Sequence, residues 1–501
     1  MKFIQMMDQP VEPGGLVEWS PFTEGGFAQW TADSRPTSHN HEQHLRAAFE
    51  YRLRTKREGG RESWLGLAID FDEPMSVPAI RAALSTWIDR HEVLRSHVVI
   101  WADRLARLTT PPGSVKLKMG RVGWYGEPGP LLDQLAGSFD RATAPLQWPA
   151  YIFATVARED SFTLLFAADH SLVDGYSLIM GQYELVALYT AHRRKVEPDL
   201  PPVGSYVDFS AHQRREADSA GAEHEAVAVW ADFLRDSGGE LPRFDIADED
   251  GTPVEAPNPS PQPGTDLIPQ GSITADLLDD EQTNRFTAVC SAAGGSLLSG
   301  VMAALAIVYA ELGGGPVFRC VIPRHTRTDQ QWFGALGWFV ATVPFRLDTS
   351  GAADFGQIIA RAADEMRRVR KAGNLPYLRV GEILGHTGDT DIPDPRFVVS
   401  FIDLRFAPGH AEADAGRARV LRSHNYSNEE VYIWVHRTAS GIRISSRFPA
   451  QGRTHRQVGR YLGAFGDFLK EVGNRSTYGP QPGDPERESA TRKTLPVSRY
   501  R

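Results

Sequence analysis

At 501 residues, with 41% hydrophobic and 23% charged side chains, the chain is long enough for two or three packed units and too apolar for disorder to be its main state. Its 54 Lys and Arg against 63 Asp and Glu leave a formal charge of −9, which excludes the basic footprint that nucleic acid or an anionic membrane surface selects. Two cysteines, Cys290 and Cys320, cannot staple a fold of this size, so the expectation is a reduced, cytoplasmic protein.

Residues 1–60 are polar and turn-rich and read as an N-terminal extension, with Trp19, Phe22, Phe27 and Trp30 as candidate anchors. The opening MKFIQMMDQP reaches an acid and a proline before any signal-like apolar run, so no targeting segment is expected. From Pro78, apolar residues at Ile80, Leu84, Trp87 and Ile88 predict a helix. SHVVIW (96–101) and FTLLFAAD (162–169) predict strands, and a long helix follows over 177–193. Together these form a first lobe, 61–218. Residues 219–271 turn acidic and rich in Pro and Gly and read as a connector, although VWADFLRDSGGELPRF is partly helical.

The second lobe, 272–474, repeats the theme. LLSGVMAALAIVYAEL (297–312) contains Ser299, Gly300 and Glu311, falls short of a bilayer span and predicts a buried core helix. Strands are predicted at 317–323, 337–347, 396–404 and 431–437, with a polar helix over 360–371. Alternating strands and helices in both halves predict an α/β layered architecture of two similar lobes. The tail 475–501 reads as disordered.

The sharpest chemical feature is DHSLVDGYS (169–177): a histidine at the end of an apolar strand, then a short loop, Asp174, Gly175 and a helix start. Such a context holds one imidazole, His170, rigidly at a strand edge, with Asp174 stabilising the loop and Gly175 permitting a close backbone turn. A neutral imidazole there takes a proton from an attacking hydroxyl or amine, help worth roughly 10²–10⁴-fold. The bare His-x-x-x-Asp spacing is weak. It recurs at His325–Asp329 and His410–Asp414, and with fifteen histidines about one match arises by chance. A satisfied structural histidine is the competing reading of His170. No Gly-x-Ser-x-Gly elbow, Walker A loop, dinucleotide glycine fingerprint or HExxH zinc helix is present, and the two separated cysteines do not make a zinc site. No metal is expected. HNHEQH (39–44) reads as a solvated face.

Several segments together resemble the condensation-domain superfamily of nonribosomal peptide synthetases, most closely its stand-alone relatives, the polyketide-associated acyltransferases of actinobacteria. DRHEVLRSHV (89–98) resembles an RHExLR segment, DHSLVDGYS the HHxxxDGxS motif, and SYVDF (205–209) the segment after the first lobe. LGWFVATVPFR (336–346) resembles a GxFVNTxPxR strand, and GNLPYLRV (373–380) and DPRFVVSFID (394–403) match in order after it. Asp169 stands where the motif has its first histidine, and Ala341 where the strand has asparagine. The first departure points away from peptide condensation and toward ester formation.

The resemblance implies two chloramphenicol-acetyltransferase-like lobes in a V-shaped pseudodimer, with His170 along a tunnel. It implies that His170 is the base and that the Gly175 N–H faces the oxyanion. It also implies that Asp174 is structural, paired with Arg327 (second choice Arg324) in a bond joining the lobes. Asp169, Ser177, Trp338 and Thr342 are then supporting tunnel residues. Read from the residues themselves, RHEVLR is a helix end with charges out and Leu94 in, Trp338, Phe339 and Phe345 are core, and Tyr206 and Asp208 are structural. The implied activity is acyl transfer from a thioester, on the phosphopantetheine of a carrier protein or on coenzyme A, to a hydroxyl of a glycolipid or polyketide-type acceptor. No cofactor of the protein's own is implied. Expected partners are an acyl carrier protein, or a carrier domain of a polyketide synthase or peptide synthetase, with peripheral membrane contact but no transmembrane segment. The alternatives are a free-standing peptide condensation enzyme and a non-catalytic carrier-docking domain.

Overall fold

The computed structural model describes residues 2–8, 11–55, 64–101, 104–248, 268–385, 395–423 and 427–474. The expected disordered tail and most of the acidic, proline-rich stretch of the connector lie outside these residues. The chain divides into two compact units, the first comprising 1–220, 325–340 and 406–425, the second 221–324, 341–405 and 426–501.

In the first unit the strands are β1 (Lys2–Gln5), β2 (Gly15–Thr23), β3 (Thr31–Asp33), β4 (Trp64–Phe71), β5 (Ser96–Trp101), β6 (Arg104–Thr109), β7 (Val115–Trp124), β8 (Tyr151–Ala157) and β9 (Phe162–Asp169). The chain re-enters this unit, after four strands elsewhere, as β14 (Ala418–Arg422). Seven strands form one sheet in the order β1-β14-β4-β9-β8-β2-β7, and β3, β6 and β5 form a small second sheet. Every residue of β9 is buried, because both faces are covered. On one face Leu165 and Ala167 join Trp64, Leu131, Leu135 and Phe139, the last three from helix α3 (Pro128–Ala142). On the other, Phe166 meets the edge of Trp87, 5.0 Å between centroids, from helix α2 (Val77–Arg90), which packs on α4 (Gly175–Arg194). Helices α1 (His39–Thr55) and α5 (Tyr206–Ser219) complete the unit's long helices.

The N-terminal segment is therefore no extension. β2 sits between β8 and β7 in the main sheet, and Trp19 is fully buried with its indole N–H donating to Thr155 Oγ1 at 3.1 Å. Trp30 is buried as well, whereas Phe22 and Phe27 are exposed and do not act as core anchors.

The second unit begins with helix α6 (Glu225–Arg235), whose Trp230 and Phe233 are buried, so the start of the expected connector is packed structure. Strands β10 (Gln270–Asp279), β11 (Val317–His325), β12 (Val340–Asp348), β13 (Phe397–Asp403), β15 (Val431–Thr438) and β16 (Gly441–Pro449) form a sheet in the order β10-β16-β15-β13-β11-β12. Helices α7 (Asp280–Ala292), α8 (Leu297–Tyr309), α9 (Phe355–Arg368), α10 (Tyr377–Ile383) and the terminal α12 (Gly452–Asn474) belong to it, the three-residue α11 (His410–Glu412) to the first unit. Leu297–Gly314 has a mean hydropathy of 1.7, enough by length and composition for a membrane span. Met302 to Ala306 of α8 are nonetheless fully buried, and the helix packs against α9 and α12 as a core helix does.

Candidate active site

The DHSLVDGYS segment leaves the sheet where expected. Asp169 ends β9, its N–H donating to the Ala150 carbonyl at 2.9 Å, and His170 opens the turn that follows. Because β9 is held on both sides by β4 and β8, the point of departure is fixed. Asp174 is the N-cap of α4 and accepts the Ser177 N–H at 2.7 Å, satisfying one orphan donor of the first turn. Gly175 is the first helical residue, its N–H among the groups that a helix leaves without an internal partner.

Asp174 and Arg327 form a buried ion pair, 2% and 3% exposed, with Arg327 Nη1 2.7 Å from Oδ2 and Nη2 3.2 Å from Oδ1. The Phe339 N–H adds a third element at 2.9 Å from Oδ2. Arg327 Nη2 also donates to Ser177 Oγ at 2.8 Å and to the Ala335 carbonyl at 3.2 Å, and its guanidinium lies 4.1 Å from the Phe339 ring and 4.9 Å from Tyr176. Burial alone pushes the Asp174 carboxyl up, but Arg327 and the Ser177 hydrogen bonds hold it below the usual carboxylate range. Both partners belong to the first unit, and the pair ties loop 325–340 to the start of α4. Arg324 lies in the second unit, donating to the Arg370 carbonyl at 2.5 Å. Ser177 also donates from Oγ to the Gly337 carbonyl at 2.8 Å and accepts the Gly337 N–H at 3.1 Å. Gly337 is obligatory: a Cβ there would stand 2.3 Å from the Tyr206 ring.

His170 is half-buried, its ring 4.8 Å from that of Trp338. Its Nδ1 is buried and makes no hydrogen bond to another residue. Burial holds the imidazole below its ordinary value, so it is neutral at cellular pH. Trp338 is itself half-buried beside it, whereas Phe339 and Phe345 are core. Thr342 lies on β12, in the second unit.

Asp169 has a partner that the sequence did not reveal. His44 Nε2 lies 3.0 and 2.9 Å from its two oxygens, and the Ser171 N–H and Oγ–H donate to Oδ1 at 3.0 and 2.5 Å. Burial raises the Asp169 carboxyl, but His44 and Ser171 bring it below the usual range. The edge of His44 faces Trp338 at 5.9 Å. HNHEQH is thus not a solvated face: His39 and His41 are buried and His44 is only 18% exposed. A helical projection of 39–55 puts His41, His44 and Leu45 on one side, the one signal that would have found it.

RHEVLR is also turned inward. Leu94 is buried as expected, but so are His91 and Arg95. Glu184 of α4 binds Trp87 Nε1 at 2.8 Å, Arg90 Nε at 2.8 Å and His91 Nε2 at 2.6 Å, while His91 Nδ1 accepts the Leu336 N–H at 3.4 Å. The segment therefore clamps α2, α4 and the loop carrying Arg327. Tyr206 donates to the Trp338 carbonyl at 3.2 Å, supporting the same loop. Both thiols are buried, Cys290 being pushed up to about 12, so neither is a nucleophile. Among the described residues no group of three or more His, Cys, Asp and Glu gathers as a metal site.

A buried N-cap aspartate paired with arginine thus stands beside a half-buried neutral imidazole at a strand end, a group chemically able to take a proton from an attacking hydroxyl. The chain belongs to the condensation-domain family, whose model matches residues 57–420. It is an acyltransferase with the fold of two chloramphenicol-acetyltransferase-like lobes. It is 27% identical over 486 residues to the acyltransferase PapA3 of Mycobacterium tuberculosis (strain ATCC 25618 / H37Rv), covering 92% of this chain and 97% of that one. The trehalose-2-sulfate acyltransferase PapA2 of Mycobacterium bovis (strain BCG / Pasteur 1173P2) is 24% identical over 475 residues, covering 92% and 94%. The solved structure of a PapA2 acyl transferase superposes with a TM-score of 0.82 at 22% identity, covering 95% of this chain and 100% of that chain.

Proposed function

We propose that the chain moves an acyl group from a thioester, on coenzyme A or a carrier protein, to a hydroxyl of a trehalose-type glycolipid or related polyketide-derived acceptor in the cytoplasm. The observation that carries this reading is His170, neutral and half-buried with its Nδ1 enclosed, on a loop held by the Asp174–Arg327 pair, so that Nε2 is the nitrogen assigned to the substrate. Nε2 takes the proton as the acceptor oxygen attacks the acyl carbon. The negative charge that develops on the carbonyl oxygen is met by the first-turn N–H groups of α4, with Gly175 the residue assigned. Collapse of the tetrahedral adduct breaks the carbon–sulfur bond, and the departing thiolate recovers the proton from the imidazolium. The acceptor class rests on the printed activities of the trehalose-2-sulfate acyltransferase relatives.

The test is mass spectrometry of products from the purified chain, offered acyl-coenzyme A or acyl-carrier donors with trehalose, sulfated trehalose, other sugars and an amine. An ester on a sugar hydroxyl is the expected product. An amide alone would replace this reading with peptide-type condensation. No product from any donor, while an acyl-carrier still binds, would replace it with carrier docking.

A further inference from the structure

His170 stands between two buried carboxylates of its own segment, Asp169 immediately before it and Asp174 four residues on, 1% and 2% exposed. A carboxylate beside an imidazole favours the imidazolium, the form that cannot accept a proton. Left unmatched in surroundings of low dielectric, the two would load the base with a proton before any acceptor arrived.

Each carboxylate is met by a side chain from a distant part of the first unit. Arg327 Nη1, from loop 325–340, lies 2.7 Å from Asp174 Oδ2. His44 Nε2, from α1, lies 3.0 and 2.9 Å from the two oxygens of Asp169. Burial raises the Asp169 carboxyl, yet His44 and Ser171 bring it below its ordinary range, so it is ionised. Ser171 supplies two hydrogen bonds and no charge. An imidazole donating to a buried, ionised carboxylate at this distance is favoured as its cation. The ring of His44 meets Trp338 at 5.9 Å, and Trp338 meets His170 at 4.8 Å, so the pair and the base share one wall. The charges that bear on His170 are those of His44, Asp169 and Asp174. Two further titratable groups beside the loop are neutral. Burial pushes His41, one turn before His44 and facing Arg107, down to about 3, and it lifts Tyr176 above its ordinary value.

We propose that His44 is a positioning residue that acts through charge: as an imidazolium it cancels Asp169, as Arg327 cancels Asp174, and so keeps His170 in the neutral form that accepts a proton. The proposal rests on the acyl-transfer reading above only for what the neutral base is used for.

The rate at which diethyl pyrocarbonate modifies His170 in the full chain, followed by mass spectrometry of its peptide against pH, reads the neutral fraction without turnover. In His44→Gln an amide keeps a hydrogen bond to Asp169 and the charge is lost. The midpoint of His170 should then rise by about one unit, a tenfold change in its proton affinity. Adding Asp169→Asn to that variant leaves neither charge and should return the midpoint to within about 0.3 unit of the parent. Asp169→Asn alone, which lets His44 lose its proton, should also stay at the parent midpoint, and it serves if His44→Gln fails to fold. A merely structural role predicts no shift in His44→Gln, because the hydrogen bond survives. An unmoved midpoint in folded His44→Gln, or a fall of about one unit in Asp169→Asn, overturns the proposal. The acidic limb of kcat/KM for acyl transfer should move with the midpoint. Product formed with an unmoved midpoint leaves acyl transfer standing without this role for His44. A moved midpoint with no product from any donor leaves the charge match standing and the acyl-transfer reading fallen.

Discussion

The spans 170–174 and 325–329 share the pattern His-x-x-x-Asp and nothing else. In the first, the strand is buried on both faces, the aspartate caps a 20-residue helix from inside the protein, and the histidine is half-buried against a tryptophan. In the second, His325 and Asp329 are both exposed, and the carboxylate caps only a three-residue turn, accepting the Gln331 N–H at 3.0 Å. Yet the second span supplies the first with its counter-ion, since Arg327 lies inside it. The spacing of two residues is cheap. What separates a site from a coincidence is a buried carboxylate that obliges the chain to deliver a cation, and a segment shaped to bring it.

The widest gap between the two spans should appear in stability. Asp174→Asn or Arg327→Met strands one buried charge and should each cost about 3–5 kcal/mol in urea unfolding. The double variant should lose clearly less than the sum, and strict additivity would break the comparison. Asp329→Asn, exposed, should fall within about 0.5 kcal/mol of the parent. A smaller effect sharpens the role of the second buried carboxylate: His44→Ala removes the imidazole from Asp169 and should cost about 1.5–3 kcal/mol, the value of a hydrogen bond to a charged group.

The acid response separates the spans further. Asp174 and Asp169 are both held below their ordinary values. In acid the unfolded chain takes up protons first, so their stabilisation is complete above the unfolded value near 4 and is lost as pH falls through the lower folded values. The urea midpoint of the parent should therefore fall below about pH 4, and Asp174→Asn should flatten that fall. An unchanged slope would mean that the buried pair does not titrate with folding. The smallest effect expected is none: His325→Ala should leave acyl transfer within about twofold of the parent, the size of a surface change.

Much of this was legible along the chain. β9, the turn and α4 were readable because local pattern and burial agree there, and Arg327 followed from the family resemblance. Three things were hidden. β2 looked like loose N-terminal chain because its buried positions, Leu16, Trp19, Pro21 and Thr23, mix apolar with turn-like and polar residues, and only its place between β7 and β8 sets which of them face inward. HNHEQH looked solvated because polarity says nothing about a partner 125 residues away: only the folded sheet presents Asp169 to His44. RHEVLR looked like an outward helix end because Arg90 and His91 are matched by Glu184, on a helix that no local window contains. In each case the missing information was a long-range partner, the quantity that periodicity does not encode.

The account stands on His170 as the group that takes the acceptor's proton. Steady-state kcat/KM for acyl transfer by His170→Ala, measured beside the parent with circular dichroism to verify folding, tests it most directly. The predicted result is a loss of roughly 10²–10⁴-fold with the fold intact. Transfer by folded His170→Ala at the parent's rate would contradict it.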